Sequence, residues 1–172
     1  EFSSIELQKK LTGKVVNVSP YIGPITEGIR GSGSPQDIET LFQLIYLYMT
    51  APRKDEQAFE SFMNRMQGYI ENRSARPETA FMDTLQVTLA QHHPRSKPWT
   101  PERLNKIDYA TAFNFYQQRF ADAGDFTFFF VGNFDPDSLK PLIRTYLGAL
   151  PSTGRSESWR EIGRASCRER VC

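Results

Sequence analysis

Two histidines occur in the 172 residues, and they are neighbours: His92-His93, within TLAQHHPRSKPW. Paired imidazoles could hold a metal ion or move a proton. A zinc pair carried on one helix needs i, i+4 spacing, which puts both rings on one face. Adjacent helical residues project about 100° apart, so His92 and His93 cannot chelate one ion from a helical face. Cysteine does not complete such a site, because Cys167 and Cys172 both stand in the closing segment IGRASCRERVC. Any metal would need carboxylates from elsewhere. The positions favour a plainer role: polar side chains that suit a helix C-terminus, with Pro94 ending the turn.

Other chemistries fare no better. No Gly-x-Ser-x-Gly elbow marks a nucleophile. The stretch GIRGSGSP, with Gly28, Gly31 and Gly33, lacks both the Lys-Ser/Thr of a phosphate loop and the spacing of a dinucleotide fingerprint. Carboxylates pair at Asp55-Glu56 and at Asp135 with Asp137, but each pair opens a predicted helix, where it complements the N-terminal dipole. The basic stretches PRSKP and RSARPE read as solvated loops. The residues by themselves therefore give no catalytic residue and no metal ligand, and leave substrate-binding residues unassigned.

Composition narrows the class. Aromatics make up 13% of the chain, too many for a disordered segment. The formal charge is +1; without the last eleven residues the body carries 18 basic and 19 acidic groups. So even a balance gives no electrostatic case for nucleic acid or an anionic membrane. No apolar run approaches the roughly 18 residues a membrane span needs, and EFSSIELQKK does not read as a signal peptide.

The elements that would position any site alternate between two periodicities. SIELQKKL has helical spacing at Ile5, Leu7 and Leu11. Val16, Val18 and Tyr21, then Ile25, Glu27 and Ile29, suggest a hairpin turning at Gly23-Pro24. Ser34, Pro35 and Asp37 predict a capped helix with Ile38, Leu41, Phe42, Ile45, Tyr48 and Met49 on one face, widened by Leu44 and Leu47. A second helix starts near Lys54 with Phe59, Phe62, Met63, Met66 and Ile70 as its stripe. A third starts near Pro77 with Phe81, Leu85 and Leu89. Thr100 and Asp108 cap two more, the latter with Tyr109, Phe113, Tyr116 and Phe120 inward and Gly124 as its stop. Phe126 to Val131 is an unbroken apolar run, predicting a strand covered on both faces. Asp135-Pro136 caps a last helix with Leu139, Leu142, Ile143, Tyr146 and Leu147 buried and Gly148 closing it. The order predicts an α+β fold, a mainly antiparallel sheet packed with several amphipathic helices. Three strands are few for so many helices, so the expectation is a domain truncated at its front. Residues 161–172, polar and without periodicity, read as a non-native tail.

Two long stretches carry a resemblance. LQKKLTGKVVNVSPYIGPITEGIRGSGSPQDIETLFQLIYLYMTAPRKDEQAFESF and FADAGDFTFFFVGNFDPDSLKPLIRTYLGALPS resemble bacterial zinc metallopeptidases of the insulinase/pitrilysin family, the inverzincins. The likeness runs from about Phe2 to Arg160. It implies that residues 1–160 are a partial third domain, the first of the second half of a four-domain clamshell. In that family zinc (Zn2+) sits in the first domain on His-x-x-Glu-His with a downstream Glu, and the Glu within the motif is the general base. This sequence has no His-x-x-Glu-His, so the resemblance puts no cofactor in this segment and no family catalytic residue on any position of it. The arginine and tyrosine that the family's second half offers to substrate would lie beyond Arg160. The implied function is a non-catalytic wall of a peptide-holding chamber, partnered by peptide substrate and by the catalytic half of the same chain or a partner subunit. The rival expectation is a structural or assembly subunit without peptidase activity. The bacterial relatives imply a periplasmic location.

Overall fold

Ser3 opens the first helix with a capping box. Its hydroxyl accepts from the Glu6 N–H at 3.2 Å, and the Glu6 carboxylate accepts from the Ser3 N–H at 2.8 Å, closing the start of α1, Ser4–Lys10. The computed structural model describes residues 2–23 and 26–155. Pro24, Ile25, Arg160, the 161–172 tail and both cysteines lie outside the described residues.

Strands β1, Val16–Ile22, and β2, Glu27–Gly33, pair antiparallel with Val18 opposite Gly31 and Tyr21 opposite Gly28. Period-2 alternation turns Val16, Val18 and Ile29 toward one side of the hairpin. There they meet α2, Ile38–Thr50, whose Leu41 and Leu44 complete the cluster. A Cβ at Gly31 would lie 2.7 Å from Leu41 Cδ1, so glycine is what lets the helix sit this close to the sheet.

The start of α2 departs from expectation. Ser34 does not accept from the helix backbone; its hydroxyl donates to Asp37 Oδ2 at 2.7 Å, and that carboxylate also accepts from the Val15 N–H at 2.8 Å. Asp37 thus ties the entry of β1 to the base of α2. These hydrogen bonds, the Ser34 hydroxyl first, hold its carboxyl below the usual range.

Helices α3, Glu56–Ser74, and α4, Pro77–Leu89, form an arm. Arg73, expected in a solvated loop, instead ends α3 and holds Asp83 of α4 through both guanidinium nitrogens. Beyond it come α5, Pro101–Leu104, and α6, Tyr109–Phe120. The caps read from the sequence form at Asp55, Thr100, Asp108 and Asp135, each accepting backbone N–H groups of its helix. Helix α6 ends at Phe120; Gly124 sits beyond it in a separate 3-10 turn, Ala123–Asp125.

The last helix also differs. Helix α7, Pro136–Leu142, widens into a π-helical turn, Ile143–Leu147, closed by Gly148 donating to Ile143 O at 2.8 Å. Pro141 lies inside α7, where it has no N–H to give, and the wider turn follows at once. A second cluster of Met49, Phe120 and Leu150 packs here, and Ile29 and Ile45 of the sheet side join both clusters. The result is α+β: helices layered on an antiparallel hairpin.

Among the described residues Phe126–Val131 joins no ladder, contrary to the strand predicted there. Its side chains nevertheless alternate. Phe126 and Phe130 are half-buried, stacked on Phe120 and Phe42 at 5.6 and 5.5 Å, whereas Phe129 is 84% and Val131 98% exposed. The run has the pleat of a strand without the neighbour that would make it one.

Candidate functional site

A groove in the described surface is walled on two sides. Glu27 to Gly31 of β2 form one wall and Asp125 to Phe130 the other, with Leu41, Ile45 and Met49 of α2 along the floor; its volume is about 520 Å³. The floor residues stand four apart, so they form one apolar stripe of the helix.

Polar groups brace this groove. Arg119 of α6 donates from Nε to both Glu27 oxygens, at 2.6 and 2.7 Å, joining α6 to β2. Arg155 Nε donates to Asp125 Oδ2 at 2.9 Å, and its Nη1 donates to the Gln118 carbonyl at 3.1 Å.

Behind the groove lies Asp122, 1% exposed. Its carboxylate accepts from the Thr153 hydroxyl and from the Arg155 and Gly124 N–H groups, both at 2.9 Å. Those donors, the Thr153 hydroxyl first, hold its carboxyl far below the ordinary range and fasten residues 151–155 beneath the wall. Sequence reasoning does not single out Asp122. The signal was present: Asp-x-Gly before an apolar run is an Asx-turn pattern. The Tyr116 hydroxyl donates to the Tyr48 carbonyl at 2.9 Å, and burial pushes its pKa up to about 12. These are bracing groups, all satisfied by partners.

The histidines are elsewhere. Helix α4 ends in a Schellman arrangement: His92 N–H donates to Val87 O at 2.8 Å and Gln91 N–H to Thr88 O at 3.0 Å. Gln91 and His92 both take left-handed backbone, φ 51° and 58°. His93 Nδ1 accepts from the Arg95 N–H at 3.2 Å in the next turn, Pro94–Ser96. Both histidines are exposed, and among the described residues neither belongs to a group of three possible metal ligands. The carboxylate pairs are equally local: Asp55 accepts from Ala58 N–H, and Asp135 from Asp137 and Ser138 N–H. Among the described residues no three His, Asp or Glu side chains converge as a metal site, so the residues here do not fit a zinc ion. Gly28 and Gly31 serve packing, Gly28 under the Tyr21 ring and Gly31 under Leu41.

Comparison with known proteins gives this arrangement its context. Residues 106–169 match the family model described as the peptidase M16 inactive domain. A zinc protease PQQL-like protein of Arabidopsis thaliana is 30% identical over 116 residues, covering 67% of this chain and 12% of that protein. A probable zinc protease PqqL of Haemophilus influenzae is 24% identical over 143 residues, covering 78% of this chain and 14% of its own length. The chain thus spans about an eighth of the length of these relatives.

Proposed function

We propose, from the premise that this chain belongs to the M16 (insulinase) peptidase family, that residues 1–160 are a non-catalytic domain of a zinc metalloendopeptidase and form part of the wall of its peptide-holding chamber. The observation that carries the reading is the match of residues 106–169 to the inactive domain of that family. The fold supports it: the groups that could have done chemistry are spent on caps, turns and braces. Hydrolysis then belongs to a zinc centre on another domain. What this chain supplies is a rigid surface, set by α2 and its two apolar clusters, that helps enclose the peptide and keep water from it. Among the described residues no helix is long and apolar enough to cross a membrane. A periplasmic location is part of the same proposal, and fractionation of the producing cells checks it.

The test is made on the product of the whole reading frame that contains these residues, with quenched fluorescent peptides as substrate. Cleavage that a chelator abolishes and zinc restores is the expected result. A folded product that binds peptide without cleaving it would instead favour the structural or assembly subunit.

A further inference from the structure

We propose that the outer face of α4 is a contact surface for a second copy of this polypeptide, the two helices packing antiparallel about Leu85. The proposal stands on the geometry of the arm and is independent of whether the protein cleaves peptides.

Helix α4 is turned inside out. At about 100° per residue, Thr79, Asp83, Val87 and Ala90 share one face. These four are half-buried, on the side where Asp83 holds Arg73 of α3. The opposite face carries Phe81, Met82, Leu85 and Leu89, which are 67%, 57%, 40% and 76% exposed. Between residues 79 and 90 the one charge is Asp83, and it lies on the inner face. The hydroxyls flanking the stripe are occupied: Thr84 donates to the Ala80 carbonyl and Thr88 to the Thr84 carbonyl, both at 2.8 Å. A surface with neither a charge nor a spare hydroxyl donor suits another apolar helix better than water or a polar ligand.

The two ends of the stripe indicate which helix. Glu78 stands seven residues before Leu85, two turns along the same face, whereas Arg76 falls on the opposite side. Past the other end, the turn Pro94–Ser96 carries Arg95. Among the described residues neither Glu78 nor Arg95 takes part in an ion pair. A two-fold axis at Leu85 lays Phe81 against Leu89 of the second copy and sets each Glu78 toward the Arg95 turn of the other. A parallel pair would instead bring Glu78 against Glu78. Antiparallel helix dipoles favour the same choice, and steps of three and four residues along the stripe suit a shallow crossing. Thirteen residues give a contact about 20 Å long. That is small beside the roughly 1,200 Å² of a standard interface, so the dimer is weak, with a Kd of about 10–100 µM. Urea unfolding at about 1 µM therefore reports the monomer.

Sedimentation velocity of the whole reading-frame product, from about 1 to 300 µM, tests this. The expected result is a monomer that passes to a dimer as concentration rises. Leu85→Glu, which sets two carboxylates together on the axis, should raise Kd at least about 10-fold with the far-UV spectrum unchanged. Glu78→Arg and Arg95→Glu should each raise it about 5-fold, and the two together should return it to within about 2-fold of the parent. A loss of helix stability alone would not be rescued in this way. A parent that stays monomeric at every concentration would overturn the proposal, and a lowered Tm for Leu85→Glu in that monomer would assign the face to another part of the same polypeptide. A dimer that Leu85→Glu leaves intact would also overturn it. Failure of the double reversal to restore association would refute the antiparallel arrangement.

Discussion

Helices α2 and α4 have the same length, 13 residues, and opposite fates. Helix α2 buries Leu41, Phe42, Leu44 and Met49 between the hairpin and the turn Ile143–Leu147. Helix α4 buries none of its residues; Phe81 is 67% and Leu89 76% exposed although they stand on one helical stripe. An apolar stripe is thus an offer of burial that needs a receiving surface. The hairpin, Phe130 and Tyr146 receive α2, whereas α4 packs on α3 and is held to it by the Arg73–Asp83 contact. The two apolar clusters are built around α2, whereas the arm is tied to the rest through α3, whose Phe59 ring meets Tyr109 of α6.

Substitution of one aromatic in each helix gives the largest test of that contrast. Phe42→Ala removes a ring stacked between Phe130 and Tyr146 and is expected to cost about 3–5 kcal/mol in urea unfolding. Phe81→Ala should stay within about 0.5 kcal/mol of the parent protein. Equal losses would show that the arm is as much part of the core as α2.

The next effect sharpens where the α2 side is held. Asp122 has its folded pKa below the unfolded value, so its contribution to stability is present above about pH 4 and fades as pH falls below that. Asp122→Asn is expected to lower Tm by about 5 °C or more near neutrality. It should also flatten the acid limb of the Tm–pH curve. A parallel curve merely displaced downward would contradict the assignment of that limb to Asp122.

A smaller effect is expected in the arm. Gln91 holds φ 51° without being glycine, so Gln91→Gly should stabilise the end of α4 by up to about 1 kcal/mol. Slower exchange at the His92 amide, with little change in global Tm, would show that the gain stays local.

How much of this was legible follows the reach of each interaction. Caps at Asp55, Thr100, Asp108 and Asp135 are bonds across two or three residues, so composition reveals them. The apolar face of α2 was legible for the same reason. The exposed face of α4 was not, because spacing specifies a stripe and says nothing of what lies against it. Phe126–Val131 has a strand's residues and alternation, but a strand exists only with a ladder partner, which among the described residues it lacks. Asp122 was hidden because its partners, Thr153 and Arg155, arrive from a distant part of the chain. At the candidate site the sequence argues against a metal role for His92 and His93 from their adjacency and their place at a helix end. The structure adds what they do, closing a helix end at which Gln91 and His92 adopt left-handed backbone.

The central proposal is that these residues form a non-catalytic part of a peptidase. Its most direct test is chelator-sensitive hydrolysis of a quenched peptide by purified residues 1–172, with bound zinc counted in the same sample. The account predicts no such hydrolysis and no stoichiometric zinc. Hydrolysis removed by chelator and restored by one equivalent of zinc would contradict it.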